Sequence, residues 1–175
     1  YMYNILCPYY ITNQYNKMKI FEKKLKDIDE NYYINWLFEK SLIENDINYM
    51  KYLNNKYNDI TNYNNGIKVS IYLTKGLIAE KENNRNEIKS NYKKLYNLVK
   101  FNDSNNKYFF KINKKLSACG GNEYYLHFAR IYFYGFIGPK DIKKAKKIIN
   151  YIPKDYIFDN DFKINEYNKI KNHKI

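Results

Sequence analysis

The sequence predicts an all-α fold, a short α-solenoid built from helical hairpins with compact loops. Three observations predict it. Apolar residues recur at three- and four-residue spacing along most of the chain, beginning with Met18, Phe21, Leu25 and Ile28, and that period belongs to one face of a helix. The stretches between these runs are short and polar. A strand reading finds no support beyond composition: Tyr108-Phe109-Phe110 and Ile131-Tyr132-Phe133-Tyr134 carry sheet-favouring residues. The one Asn-Gly pair, Asn65-Gly66, is followed by a helical pattern rather than by an alternating run.

Taken in order, residues 1–17 read as an irregular aromatic arm, and residues 18–162 as a single α-helical repeat domain. The helix from Met18 to Ile28 comes first. A second runs from Tyr32 to Ile43, with Tyr33, Leu37 (or Trp36) and Lys40 continuing it, and Asn45-Asp46 breaks it and caps the next. Ile47, Met50 and Leu53 line a short third helix ending near Tyr57. Asn58 to Gly66 is an Asn-rich loop. Ile67 to Ala79 is a helix with Val69, Leu73, Gly76 and Leu77 on one face. After a polar turn at Asn83 to Asn86, a helix follows through Ile88, Tyr92, Leu95, Tyr96 and Val99. Phe101 to Asn106 is a loop and Tyr108 to Leu116 a further helix, stopped by Gly120-Gly121. The last pair is Glu123 to Tyr134 and Asp141 to Ile152, the second helix ending before Pro153. Residues 163–175, rich in Asn and Lys, read as a polar tail that frays.

Composition bounds what the chain does. It carries 22 Tyr, 28 Asn and 29 Lys against 4 Ala and 2 Arg, a usage that A/T-rich codons favour and that suggests a low-GC genome. The net charge of +13 raises nucleic acid as a partner, since phosphates reward a basic face. Specific phosphate and base recognition, however, draws on the planar Arg fork, and here the surplus is almost all Lys, scattered from Lys17 to Lys174. A solvated basic surface is the favoured reading. Cys7 and Cys119 are too few for a disulfide framework. No run approaches the 18 or so apolar residues of a membrane span. The chain opens on Tyr1 rather than Met, which leaves both a secretory and a cytoplasmic location open, the cytoplasmic one favoured.

The firmest motif lies between Glu123 and Ile152. Phe128-Ala129, Tyr132, Gly135, Gly138-Pro139, Lys140-Asp141 and Ala145 stand there in order. Each has a physical role. Ala129 and Ala145, half of the chain's four alanines, are small where two helix axes approach. Tyr132 shares the buried face with Phe128, four residues earlier. Gly135 supplies the left-handed residue that ends a helix, Pro139 presets the entry to the next one, and Asp141 caps it.

In these residues and their spacing the segment resembles the Sel1-like repeats, relatives of the tetratricopeptide repeat. Phe128 stands where that family has leucine, and the turn reads Gly-Phe-Ile-Gly in place of Gly-x-Gly-hydrophobic. A degenerate copy spans residues 67–100, with Ser70, Leu73 and Gly76 in the places of Ala129, Tyr132 and Gly135, but without the Gly-Pro turn and the Lys-Asp pair. The resemblance implies a scaffold: stacked hairpins bury a continuous core and expose a concave surface, which in this family serves adaptor roles in complex assembly.

Catalytic and metal chemistry find little footing. His127 lies eight residues beyond Cys119 with no further ligands at zinc spacing, and reads as a satisfied structural histidine; His173 reads as solvated. Cys119 before Gly120-Gly121 has no identifiable activating partner, and that glycine pair lacks the Lys and hydroxyl of a phosphate loop. Asp155, Asp159, Asn160 and Asp161 lack the glycine and terminal Glu of a calcium loop. The expectation is therefore a non-enzyme without cofactor or metal, binding protein partners, including copies of itself in a homo-oligomer. The alternative is a basic RNA- or ribosome-associated factor, for which Asn91-Tyr92-Lys93-Lys94 offers interleaved rings and cations.

Overall fold

The structure, a computed structural model, describes residues 14–154, 156–158 and 160–174 except for 100–120. The aromatic arm before Gln14, the expected Tyr108–Leu116 helix with its Gly120 stop, both cysteines, Asp155 and Asp159 lie outside the described residues. Of the described residues 76% are helical and none forms a strand. Eight helices follow one another among them: α1 Tyr15–Ile28, α2 Glu30–Glu44, α3 Ile47–Lys56, α4 Asn65–Lys81, α5 Arg85–Val99, α6 Gly121–Tyr134, α7 Ile142–Ile149 and α8 Asp161–Asn172.

Short Asp and Asn side chains begin most of these helices. The amide hydrogens of the first turn have no intrahelical acceptor, and Asp29, Asp46, Asn64, Asn84, Asp141 and Asn160 each accept one, from Tyr32, Tyr49, Ile67, Glu87, Lys144 and Lys163 respectively. Asn45 takes the left-handed conformation, φ 52°, that ends α2. Gly135, φ 71°, does the same after α6.

The pairs α2–α3, α4–α5 and α6–α7 pack as successive hairpins, and α2 and α3 both pack on α4. Their first members differ in kind from their second. In α4 the residues Ile67, Val69, Ser70, Ile71, Leu73, Thr74, Gly76, Leu77 and Ala79 are buried, so the helix is enclosed nearly all round. The same holds for α6 from Glu123 to Phe133. The second members α3, α5 and α7 are amphipathic; α7 sets Ala145, Ile148 and Ile149 inward and its lysines outward. Two cores result. Met18, Leu25, Trp36, Phe38, Leu53, Ile67 and Ile71 belong to one, and Val69, Leu73, Tyr92, Leu95, Leu126, Ala129, Ala145 and Ile170 to the other. Helix α4 contributes to both.

Several expectations need correction. Residues 163–172 are not a frayed tail: they lie in α8, which packs on α6 and α7 and buries Lys163, Glu166 and Ile170. Two of those three are charged, so the inward face carries no apolar signature. Ile28 is 68% exposed, because α1 ends there and the chain turns away at Asp29. Helix α7 ends at Ile149 rather than at Ile152; short-range bonds from Tyr151 and Ile152 to Ile148 and Ile149 close the turn before Pro153 is reached. Pro139 lies in the loop, two residues before the Asp141 cap, and not at the helix entry. Gly76 is not the counterpart of Gly135. It sits inside α4, where a Cβ would collide with the Tyr92 ring of α5, so its role is close approach and not helix termination.

Candidate functional site

Helix α6 carries a stripe that its burial makes unexpected. Glu123, His127, Arg130 and Tyr134 recur at four, three and four residues, the spacing of one helix face, yet the helix is enclosed and unpaired charge inside a core is costly. The charges are met from other helices. Arg130 donates from Nε to Glu166 of α8 at 2.7 Å and from Nη2 to Glu80 of α4 at 2.5 Å, with its guanidinium 5.0 Å from the Phe162 ring centroid. Tyr92 of α5 donates to Glu80, and Tyr134 donates to Glu166 at 2.7 Å. Nearer the start of α6, Lys163 of α8 is fully buried. Its Nζ lies 3.1 Å from Glu123 and donates to the Ile43 carbonyl at the end of α2.

Electrostatics follow from that enclosure. Burial works against the charge on Arg130, but Glu80 and then Glu166 hold the guanidinium protonated more firmly than usual. His127 is pushed well below its ordinary range by burial first and then by Arg130 and Lys163, and its Nδ1 lies 3.3 Å from Arg130 Nη1. Burial, with Glu80 beside it, pushes the Tyr92 hydroxyl well up. Tyr124, bonded to Ser70 across α6 and α4 at 2.7 Å, is raised by burial and secondarily by Glu39. These groups neutralise and position one another; they lock α4, α5, α6 and α8 together.

The open feature lies elsewhere. Helices α3, α4 and α5 leave a groove of about 600 Å³ between them. Asn54 and Lys51 from α3, Lys75 from α4, and Ser90, Asn91 and Lys94 from α5 are among its lining residues, with Ile78 its one aliphatic residue. Lys51 bridges to Glu82 at 2.5 Å across one side. Asn54, 7% exposed, donates from Nδ2 to the Met50 carbonyl at 2.8 Å and to Thr74 Oγ1 at 2.9 Å, which ties α3 to α4. Its Oδ1 has no hydrogen-bond partner, a condition that costs about 1–3 kcal/mol in a buried site.

The residues singled out in the sequence fall into place unevenly. Phe128, Ala129, Tyr132 and Ala145 are buried in the larger core, Gly135 ends α6, and Asp141 caps α7 by accepting from Lys144 at 2.9 Å. A side chain at Gly138 would meet open space. These are frame residues, away from the groove. Tyr92, proposed as part of an RNA-stacking run, is 1% exposed and presents no ring face to a base. His127 is buried beside Arg130; His173 is exposed, with its ring edge-to-face on Phe133 at 5.2 Å. Among the described residues no helix is long and apolar enough to cross a membrane, and no three His, Cys, Asp or Glu side chains converge as metal ligands do. Sequence reasoning missed Glu80, Lys163 and Glu166. The one available signal was Arg130, a cation set with His127 within the otherwise apolar run from Tyr124 to Tyr134.

Compared with protein-family models, curated proteins and solved structures, the chain matches none.

Proposed function

We propose that this chain is a non-catalytic helical-repeat scaffold of Sel1 type that mediates protein–protein interaction, with another protein or with a second copy of itself. The observation that carries the reading is the groove between α3, α4 and α5, an open surface on a frame of successive hairpins. Such hairpins form a binding surface from the stacking itself and need no catalytic group. Two further features support it. The α6–α7 hairpin combines fully buried Ala129 and Ala145 with a left-handed Gly135, the features of the Sel1-type motif that have a packing reason. The ionised side chains of the interior bond to one another, so they serve cohesion rather than chemistry.

The test is the native mass of the purified protein, read by light scattering after size-exclusion chromatography with and without nuclease. A nuclease-resistant mass above the 21.4 kDa of the chain, accounted for by protein, is expected. A monomer that retains no protein partner would overturn the reading, and a nuclease-sensitive mass would replace it with the RNA-associated one.

A further inference from the structure

The positive charge of the chain is unevenly placed. Residues 1–66 carry eight lysines against eight Asp and Glu, so the whole net charge of +13 falls to residues 67–175. Part of it gathers around the last turn of α6. Lys140 lies against Gly135, the Lys144 ammonium sits 4.6 Å from the Tyr132 ring centroid, and Lys169 donates to the Tyr134 hydroxyl at 3.0 Å. Lys146 donates to the His173 carbonyl at 2.7 Å, and the His173 ring rests on Phe133. Lysines from the entry to α7, from α7 and from α8 therefore surround one helix turn. Lys143 and Lys147, exposed and one turn apart on α7, and the exposed Lys174 extend the basic surface. Helix α7 contains no carboxylate. Asp141 is engaged as its cap, and Glu166 is held by Arg130 and Tyr134.

We infer that this face binds the phosphodiester backbone of a double-stranded nucleic acid without regard to sequence, which goes beyond the scaffold reading and does not rest on it. The face offers charge and little else. Among the described residues, no exposed large apolar side chain lies between Tyr132 and Ile149 or beyond Ile164. A protein partner is anchored chiefly by large, well-packed side chains, and a bilayer surface by apolar ones that insert among the headgroups. A nucleic acid needs no such anchor, because each neutralised phosphate releases condensed counterions and that release supplies the binding. Lysine also decides the readout. An ammonium is a point charge suited to phosphate, whereas reading base edges draws on the planar guanidinium, and Arg130 is turned inward to Glu80 and Glu166. Tyr132 and Tyr134 are buried and half-buried with lysines on their rings. Bases therefore find no exposed tyrosine platform here of the kind that single strands use.

The experiment measures the anisotropy of a short, fluorescently labelled DNA duplex, in two unrelated sequences, on the full chain across a salt series. Equal affinity for the two sequences is expected, with a slope of log affinity against log salt of about −4. K143Q/K147Q removes two cations from the face, so it is expected to flatten the slope by about two and to weaken binding about tenfold or more at low salt. K19Q/K23Q, on exposed positions of α1, removes as many lysines from the neutral part of the chain and leaves the slope unchanged. Circular dichroism confirms that both variants fold. Oligouridine, polyglutamate, and vesicles of phosphatidylcholine and phosphatidylserine in equal parts serve as competitors, and unlabelled duplex is expected to outcompete each of them at equal charge. No duplex binding at low salt, equal loss in the two variants, a preference for one sequence, or a competitor that matches the duplex would each overturn the assignment. The scaffold reading falls separately, on the protein mass that remains after nuclease.

Discussion

At the scale of single residues, the interior of this protein is unusual for how much charge it holds. His127 is enclosed beside Arg130, with Lys163 facing from α8 and the carboxylates of Glu123, Glu80 and Glu166 holding those two cations. Neutral imidazole is tolerated there; imidazolium would be a third cation in the same enclosure. Because its pKa is depressed on folding, the stability it contributes is fully present above the unfolded value of about 6.5 and is lost as pH falls from there through the folded value. The slope has an upper limit of about 1.4 kcal/mol per pH unit for one proton. Urea midpoints measured between about pH 7.5 and 5.5 are expected to fall for the native chain and to stay flatter for His127→Gln. Equal slopes for the two proteins would show that His127 does not titrate in this way. The groove is the other residue-scale lesson. Asn54, Lys75 and Lys94 were illegible beforehand because Asn and Lys are everywhere in this chain, and a common residue carries no signal until its neighbours across the helix seam are known.

At the scale of elements, α8 shows how a helix can be held by what its pattern hides. Its inward residues are Lys163, Glu166 and Ile170, and the first two are anchored by Glu123 and by Arg130. Replacing Lys163 with Ala leaves Glu123 enclosed without that cation. The expected loss is about 3–5 kcal/mol, the cost of breaking one side of a buried pair. Lys163→Met combined with Glu123→Leu removes both charges at similar volume and is expected to recover much of the loss, as apolar replacements of buried pairs often do. Thermal unfolding of the three proteins decides it; a double variant as unstable as Lys163→Ala would mean that the pair matters for more than its mutual compensation. Caps were the legible part of the elements. Asp46 and Asp141, read from the sequence as caps, precede helices that begin at Ile47 and Ile142, because an Asx side chain meeting a free amide is a local event. Helix ends governed by packing, such as that of α7, were not.

For the whole molecule, the decisive element is α4, which gives Ile67 and Ile71 to one core and Val69, Leu73 and Leu77 to the other. A helix shared by two cores couples them, so they are expected to unfold together. Trp36, the sole tryptophan, is buried in the smaller core and donates to Glu22 at 2.7 Å, which makes its emission a probe of that half. Its urea transition is expected to coincide with the loss of helical circular dichroism; an earlier transition at Trp36 would show two independently melting units. By itself, the sequence determined the helical class, the order and approximate extent of the helices from α1 to α7, and the packing roles of Ala129, Gly135, Asp141 and Ala145. All of these follow from periodicity, capping and side-chain size, which act over a few residues. Tertiary structure alone decided that residues 161–172 are a core helix, that Gly76 makes room for Tyr92, that Arg130 meets Glu80 and Glu166, and that Asn54, Lys75 and Lys94 line one groove. Those depend on pairings between residues tens of positions apart, and a charged or amide side chain shows its partner only when the chain has brought the two together.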